Sequence, residues 1–174
     1  FGWEFVDRIL NSANDLCLIL NPSVNAYRRL DPHFEAPNQI KSSPVDRTSM
    51  VRIPLGNAKS SRIEVRTVAP DANPYLAFYA ILKTGFEGPM TETITSENRR
   101  TRTKYLPGNI YDAIRLFKSS EFMEKTLGAD NKEKYMERKV AAAERSPKEL
   151  GTQVKTSEIA YHHEITNQYI WGQL

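Results

Sequence analysis

The sequence predicts an α+β fold, with strands and ordered loops in the first half of the chain and helices in the second. Eight of the ten prolines precede residue 90, which leaves the second half free to form long helices. Residues 62–67 alternate apolar and polar side chains, as a half-buried strand does. With 174 residues, of which 40% are hydrophobic and 26% charged, the chain can bury the core of one domain.

An amphipathic helix is predicted between Trp3 and about Asn14. Its apolar residues share one face, at the spacing of Phe5, Val6, Ile9, Leu10 and Ala13. Residues 21–48 then hold four prolines and show little periodicity, which predicts an ordered loop. A structureless loop of about 25 residues in a compact domain is usually functional.

Two strands and a central helix follow. The first strand is predicted over residues 49–55 and the second over 62–67, where Ile63 and Val65 share one face. Asn73 is a good helix N-cap and Pro74 suits the first helical position. The helix predicted from there to Phe86 is apolar nearly all round, so we expect it to be buried.

The second half is predicted to form helices over about 109–127, 130–145 and 147–171. The middle helix is mostly charged, which predicts a solvent-facing position. The last helix carries the aromatic residues Tyr161, Tyr169 and Trp171, so we expect it to dock onto the rest of the domain.

Composition excludes several classes of protein. The longest aliphatic run, residues 16–20, is far shorter than the ~20 residues of a membrane-spanning helix, so no membrane partner is expected. A single cysteine, Cys17, allows no internal disulfide framework and no Cys/His metal cluster, which favours a core thiol in a reduced, cytoplasmic setting. The chain begins at Phe1 rather than at an initiator methionine, so we expect a piece of a longer protein.

Positive charge is concentrated in residues 21–70, which hold eight basic and four acidic residues although the net charge of the chain is only +3. Arginine predominates among the basic residues, and its planar fork suits carboxylate and phosphate oxygens. Arg62, Glu64 and Arg66 fall on one face of the second strand. These charges could form a ladder of salt bridges, or the glutamate could bind a hard cation such as Mg²⁺ while the arginines hold phosphate.

Four segments in order resemble elements of the glutamine synthetase family. Residues 25–37 resemble its N-S-Y-K-R-L-x-P-x-x-E-A-P stretch, and residues 46–54 resemble N-R-S-A-x-I-R-I-P. Residues 62–66 match R-[IV]-E-[VL]-R, and residues 70–77 are similar to D-P-x-A-N-P-Y-L. The resemblance thins after about residue 90.

The resemblance implies a fold, a reaction and its partners. The chain would be the C-terminal portion of the catalytic domain, in which a few antiparallel strands pack against helices. Residues 1–89 would supply active-site strands, loops and the central helix, and residues 90–174 a helical C-terminal region. The implied enzyme, a glutamate–ammonia ligase, uses ATP and Mg²⁺ or Mn²⁺ to join ammonia to L-glutamate through γ-glutamyl phosphate. The full-length protein would be a ring-forming homo-oligomer without nucleic acid.

The resemblance also implies roles for individual residues, carried over position by position. Glu35 would close the site and accept the ammonium proton, and Glu64 would bind the metal. Binding of substrate glutamate would involve Arg29, Glu35, Arg47 and Arg66. Contacts to ATP would come from Arg47, Arg52 and Lys59.

The resemblance gives no active-site role to several other positions that could attract attention. The family's remaining metal-binding carboxylates, its ATP histidine region and its ammonium-site aspartate would lie upstream, so we expect the 174 residues alone to be inactive. His162 and His163 are not substitutes, because adjacent helical residues point about 100° apart. Tyr111 resembles a tyrosine that is adenylylated in some bacterial enzymes.

Three alternatives to glutamine synthesis stay open at this point. A related γ-glutamyl ligase would use a polyamine or ethanolamine instead of ammonia. A non-catalytic homologue would have lost its arginines or Glu64, which are retained here. A basic nucleic-acid-binding module could be built on residues 98–104, which hold four basic residues.

Overall fold

The computed structural model describes residues 1–30, 36–57, 59–91 and 103–144. These residues form seven α-helices and a three-stranded sheet. The strands are β1 (Gln39–Ser43), β2 (Ser49–Arg52) and β3 (Glu64–Val65). The helices are α1 (Gly2–Asn11), α2 (Ala13–Leu20), α3 (Val24–Arg29), α4 (Pro74–Glu87), α5 (Ile110–Ser119), α6 (Glu121–Leu127) and α7 (Ala129–Glu144). The predicted mixture of a small sheet and helices is confirmed, whereas the predicted last helix, 147–171, lies outside the described residues.

The sheet has the order β1-β2-β3 and mixes two kinds of pairing. β2 and β3 are antiparallel, as expected, and Arg52 lies opposite Glu64. β1 and β2 run parallel, unlike the expected antiparallel arrangement. Because Gln39 pairs with Ser49, the five residues 44–48 must run back along β1 before β2 begins.

The predicted loop over 21–48 contains two regular elements instead. α3 is a helix of six residues with Ser23 as its N-cap, whose hydroxyl accepts a hydrogen bond from the Ala26 amide at 3.3 Å. β1 is half-buried along its whole length and shows no alternation of buried and exposed residues. Both elements are too short or too uniform to produce a periodic pattern, so the sequence does not reveal them.

The core lies around α2, which is the aliphatic run that sequence analysis noted. The first helix ends at Asn11 rather than near Asn14 as predicted, and α2 begins after Ser12. The last five residues of α2, Leu16 to Leu20, are core residues that are at most 1% exposed. Cys17 is among them, as predicted. α2 packs against α4, α5 and α6, so it is the element around which the helices assemble.

The helix α4 has the predicted ends but not the predicted burial. The Asn73 side chain accepts a hydrogen bond from the Leu76 amide at 3.2 Å, and Pro74 is the first helical residue. The expectation that the helix is buried on all sides is wrong for the described residues, because Tyr75 is 86% exposed and Phe78 is 67% exposed. Small residues of α4 face α1 and α2 instead, namely Ala77, Ala80, Thr84 and Gly85.

Replacing Gly85 by alanine is expected to lower the free energy of unfolding by about 1–2 kcal/mol, since overpacking costs more than the alanine gains in helix propensity. A Cβ atom at this position would overlap the ring of Phe5. That ring cannot move aside freely, because Phe86 stacks on it edge to face with a centroid distance of 5.8 Å. Urea unfolding would measure the change. Gly2→Ala is the matched control, since nothing lies within 4 Å of that position, and equal stability of the two variants would contradict the proposed close packing.

The second half is helical, as predicted, but one of the predicted helices is divided into two. The predicted helix over 109–127 is split at Ser120, whose hydroxyl accepts a hydrogen bond from the Met123 amide at 3.0 Å and so begins α6. Most of α7 is exposed, as expected for its charged sequence. Tyr135 of α7 donates a hydrogen bond to the Leu18 carbonyl at 3.0 Å, which ties this helix to the core. In the described ranges, no helix has the length and apolar character needed to cross a membrane.

Candidate active site

Glu64 lies between two arginines at the exposed edge of the sheet. Its two carboxylate oxygens accept hydrogen bonds from Arg62 Nε at 2.9 Å and Arg52 Nη1 at 3.4 Å. The antiparallel register sets the second contact, because Arg52 and Glu64 are direct cross-strand partners. Of the salt-bridge ladder that the alternation allowed, the pair of Arg62 with Glu64 is present, and the second arginine on Glu64 is Arg52 of β2. These two pairs hold the carboxylate in a fixed position beside two cations.

Arg66, the next residue after β3, contacts the loop before β2. Its amide donates to the Met50 carbonyl at 2.9 Å, and its guanidinium donates to the Arg47 carbonyl at 2.7 Å. Arg47 itself is exposed on the loop that runs back along β1. The guanidinium of Arg66 thus determines where the backbone of Arg47 lies.

Arg29, the last residue of α3, packs against the chain that follows β3. Its guanidinium donates to the Thr67 carbonyl at 2.7 Å and makes longer contacts of 3.4 Å with the Arg66 carbonyl and the Asn21 side chain. Burial lowers the pKa of Arg29; the charge of Arg66 acts in the same direction, and that of Asp71 opposes it. An anion placed between Arg29 and Arg66 would relieve this repulsion of like charges.

A second set of contacts shapes the loop that carries Arg47. The Asp46 carboxylate accepts hydrogen bonds from the Thr48 amide at 2.8 Å and the Thr48 hydroxyl at 2.7 Å, and pairs with Lys41 Nζ at 2.6 Å. The bond from Lys41 and those from Thr48 hold the pKa of Asp46 well below its usual range. Sequence analysis missed this role, although an Asp side chain commonly accepts a hydrogen bond from the backbone two residues on.

The remaining predicted site residues lie elsewhere. Lys59 is exposed in the loop between β2 and β3, where its amide donates to the Asn57 side chain at 3.1 Å. Glu35 lies outside the described residues. The structure therefore brings Arg52 and Glu64 into direct contact, links Arg29 and Arg47 through Arg66, and leaves Lys59 on a separate loop.

The donor set of the described residues fits only part of a divalent metal site. A hard cation such as Mg²⁺ takes about six oxygen ligands, several of them from carboxylates. Within 1–30, 36–57, 59–91 and 103–144 there is no group of three or more His, Cys, Asp or Glu residues that could hold a metal ion. Glu64 could supply one carboxylate ligand, and a complete site would need oxygen ligands from other parts of a protein.

Two other reactive side chains do not belong to this arrangement. Burial raises the pKa of the Cys17 thiol to about 12, against the opposing effect of contacts from Tyr27 and Asn21, so the thiol stays protonated at neutral pH. Tyr111 lies in the first turn of α5, 36% exposed, with its pKa raised by burial. The chemistry of the described site therefore depends on its arginines and Glu64.

Comparisons with known proteins find one family. A family model described as the catalytic domain of glutamine synthetase matches residues 2–159. A glutamine synthetase from Thermotoga maritima is 37% identical over 168 residues, which are 89% of this chain and 37% of the relative. One from Staphylococcus aureus strain MRSA252 is 36% identical over 140 residues, which are 73% of this chain and 31% of the relative. The chain thus spans about a third of the length of these relatives.

Solved structures share the fold. That of a GmaS/ADP complex superposes with a TM-score of 0.64 and 29% identity, covering 81% of this chain and 35% of that one. GmaS without ligand gives a TM-score of 0.63 and 30% identity over the same share of this chain and 34% of its own. With these matches, the small sheet, its covering helices and its arginine-rich edge define part of a ligase catalytic domain. The chain belongs to the glutamine synthetase family.

Proposed function

We propose that this chain is the C-terminal portion of the catalytic domain of a glutamine synthetase, which joins ammonia to the side-chain carboxylate of L-glutamate with ATP. The observation that carries the proposal is the linked set of arginines around β3, in which Arg66 contacts the backbone of Arg47 and Arg29 contacts that of Arg66. Activating a carboxylate with ATP brings several negative charges together. Cations that are already fixed in place stabilise such a transition state without reorganisation.

The proposed roles are those that the family resemblance implies for these residues. Arg29 and Arg66 would bind substrate glutamate, and Arg47 would contact both substrate and the transferred phosphoryl group. Arg52, beside Glu64, would contact ATP, with Lys59 as a further nucleotide contact. When bound, Mg²⁺ or Mn²⁺ would neutralise phosphate charge, and Glu64 would be one of its ligands. Glu35 would accept a proton from ammonium and help to exclude water.

The setting proposed for the full-length protein follows that of the family. It would form a ring-shaped homo-oligomer in the cytoplasm, without nucleic acid or a membrane as partner. The basic segment 98–104 that suggested a nucleic-acid module lies mostly outside the described residues. A non-catalytic homologue is disfavoured because the charged residues Arg29, Arg47, Arg52, Glu64 and Arg66 are all retained.

A second candidate is a γ-glutamyl ligase that uses an amine in place of ammonia. The structural likeness to GmaS, a γ-glutamylmethylamide synthetase, supports this candidate at a sequence identity of 29–30%. The identity to glutamine synthetases is higher, at 36–37%, which favours ammonia. Polyamines and ethanolamine are further acceptors to compare with methylamine.

The isolated chain is expected to form no γ-glutamyl hydroxamate from glutamate, ATP, Mg²⁺ and hydroxylamine. The physical reason is that its described residues supply only one candidate metal ligand at the site. A chimaera in which this chain replaces the matched segment of the Thermotoga maritima enzyme is expected to be active. Because the ammonium-site residues would lie upstream of this segment, the acceptor is compared on the full-length protein, with a higher kcat/KM expected for ammonium than for methylamine, putrescine or ethanolamine. Product formation by the isolated chain would contradict the first expectation. A preference for methylamine would replace glutamine synthesis by the second candidate.

A further inference from the structure

The loop between β1 and β2 is fixed on both sides of Arg47. Before Arg47, the Asp46 amide donates to the Ser43 hydroxyl at 3.0 Å. After it, the Thr48 amide donates to the Asp46 carboxylate at 2.8 Å. The carbonyl group of Arg47 itself accepts from the Arg66 guanidinium at 2.7 Å. The backbone from which the Arg47 side chain extends is therefore held at three consecutive residues.

The two carboxylate oxygens of Asp46 have separate partners. Oδ1 accepts hydrogen bonds from the Thr48 amide at 2.8 Å and the Thr48 hydroxyl at 2.7 Å, which close the turn around Arg47. Oδ2 pairs with Nζ of Lys41, a residue of β1, at 2.6 Å. One oxygen thus fixes the backbone of the loop, and the charge of the carboxylate is balanced at the other.

The pair of Lys41 with Asp46 is too exposed to contribute much to stability. The two side chains are 40% and 37% exposed, and ion pairs at such positions add little to the free energy of unfolding. Asp46 also stands where the family element that residues 46–54 resemble has asparagine. An asparagine side chain could accept both hydrogen bonds from Thr48 without carrying a charge. The contribution of Lys41 is therefore the positive charge that balances the carboxylate.

This charge balance matters because Arg47 is proposed to contact a phosphoryl group. Hydrogen bonds from Lys41 and Thr48 lower the pKa of Asp46, so its carboxylate is ionised at neutral pH. Without Lys41, this anion next to Arg47 in the chain would attract the guanidinium and repel an anionic ligand. A displaced guanidinium would lose the alignment on which stabilisation of the transition state depends.

We propose that Asp46 is a positioning residue for Arg47, and that Lys41 is the counter-charge that keeps this carboxylate from competing with the phosphate groups of ATP for Arg47. This role rests on the proposed function, in which Arg47 contacts both substrate and the transferred phosphoryl group. It is the same for either amine acceptor, because it concerns the transfer of phosphate to glutamate.

Asp46→Ala in the full-length protein is expected to lower kcat for γ-glutamyl hydroxamate formation about tenfold or more, with a smaller change in KM, because the phosphoryl contact is strongest in the transition state. Asp46→Asn is expected to keep kcat within about threefold of the wild type, since its amide oxygen still accepts from Thr48. Asp130→Ala is the matched control. It removes an exposed carboxylate that pairs with Lys134 at 2.7 Å on α7, and kcat should not change.

Lys41→Ala tests the counter-charge separately. It is expected to raise KM for ATP about fivefold at low ionic strength, the effect of one unit charge a few ångströms away in water. The ratio to the wild type should fall as salt rises, because salt screens exposed charges. The double variant Lys41→Ala/Asp46→Asn should return KM to near the wild-type value, since no unbalanced carboxylate remains. A purely structural tie would instead give losses that add and do not depend on salt.

Thermal unfolding of the full-length protein completes the test. Because the pair is exposed, every variant should melt within about 2 °C of the wild type. Wild-type kcat for Asp46→Ala, a Lys41 variant that Asp46→Asn does not restore, or losses that occur only with a marked fall in melting temperature would overturn the proposal while the proposed function holds. A wild-type protein that forms no product from glutamate and ATP would overturn both.

Discussion

Glu64→Gln is expected to lower turnover of the Thermotoga chimaera by a factor of about 100 or more, the usual effect of removing one group that stabilises transition-state charge. Glutamine keeps the size of the side chain, but its single amide oxygen can accept from only one of Arg62 and Arg52, which donate to different oxygens of Glu64. It loses the negative charge that a divalent cation would need. The measurement is kcat for γ-glutamyl hydroxamate formation at a series of Mg²⁺ concentrations.

Glu137→Gln is the matched control, since it makes the same chemical change at an exposed position of α7. Unfolding of the isolated chain separates a structural effect from a catalytic one. Exposed ion pairs contribute about 0–1 kcal/mol, so Glu64→Gln should barely change the free energy of unfolding. Full activity of the Glu64 variant at every Mg²⁺ concentration would show that its pairs with arginine are its whole role.

Lys132→Met is expected to lower the free energy of unfolding by about 3 kcal/mol, because it removes two charge-assisted hydrogen bonds, one to the buried Ser120 carbonyl and one to the partly buried Lys118 carbonyl. Lys132 is only 7% exposed, and its ammonium donates to the Ser120 carbonyl at 2.7 Å and the Lys118 carbonyl at 2.9 Å. It lies 3.4 Å from a carboxylate oxygen of Glu124. These contacts join α7 to the end of α5 and the start of α6. Methionine fills the space of the lysine but provides no donor.

Lys134→Met serves as control, because the side chain of Lys134 is 66% exposed and pairs only with Asp130 of the next turn among the contacts described. Its loss should cost about 0.5 kcal/mol or less. In thermal unfolding, the Lys132 variant should melt roughly 6–12 °C lower than the wild type. Equal melting temperatures of the two variants would mean that water replaces the lysine at the carbonyl groups.

Local signals predicted the parts of the fold that local contacts determine. The start of α4 follows from Asn73 and Pro74, since capping and proline geometry act within one turn. The exposure of α4 could not be predicted, because an apolar sequence does not tell which sides of a helix other elements cover. The parallel pairing of β1 could not be predicted either, because it depends on a loop that the side chains of Asp46 and Ser43 hold in place.

The site, like the fold, could be predicted only where local sequence patterns determine it. Alternation along residues 62–66 placed Glu64 among arginines, and the register of β2 and β3 brings Arg52 to it. The contacts of Arg29 and Arg66 with backbone carbonyl groups join residues 19 to 38 positions apart, and no sequence pattern reports such contacts. The resemblance to a family supplied the roles of these residues, and the structure supplied their mutual positions.

The return of residues 44–48 along β1 limits how this segment can vary. Its two ends are fixed, because Gln39 pairs with Ser49 at one end of the ladder and Ser43 with Arg52 at the other. An inserted or deleted residue would displace either Arg47 or the register that sets Arg52 opposite Glu64. Side chains on the outside of this loop, such as Val45, can be exchanged freely. The number of residues in the loop cannot be changed in this way. The loop acts as a spacer, because its length sets the positions of both Arg47 and Arg52.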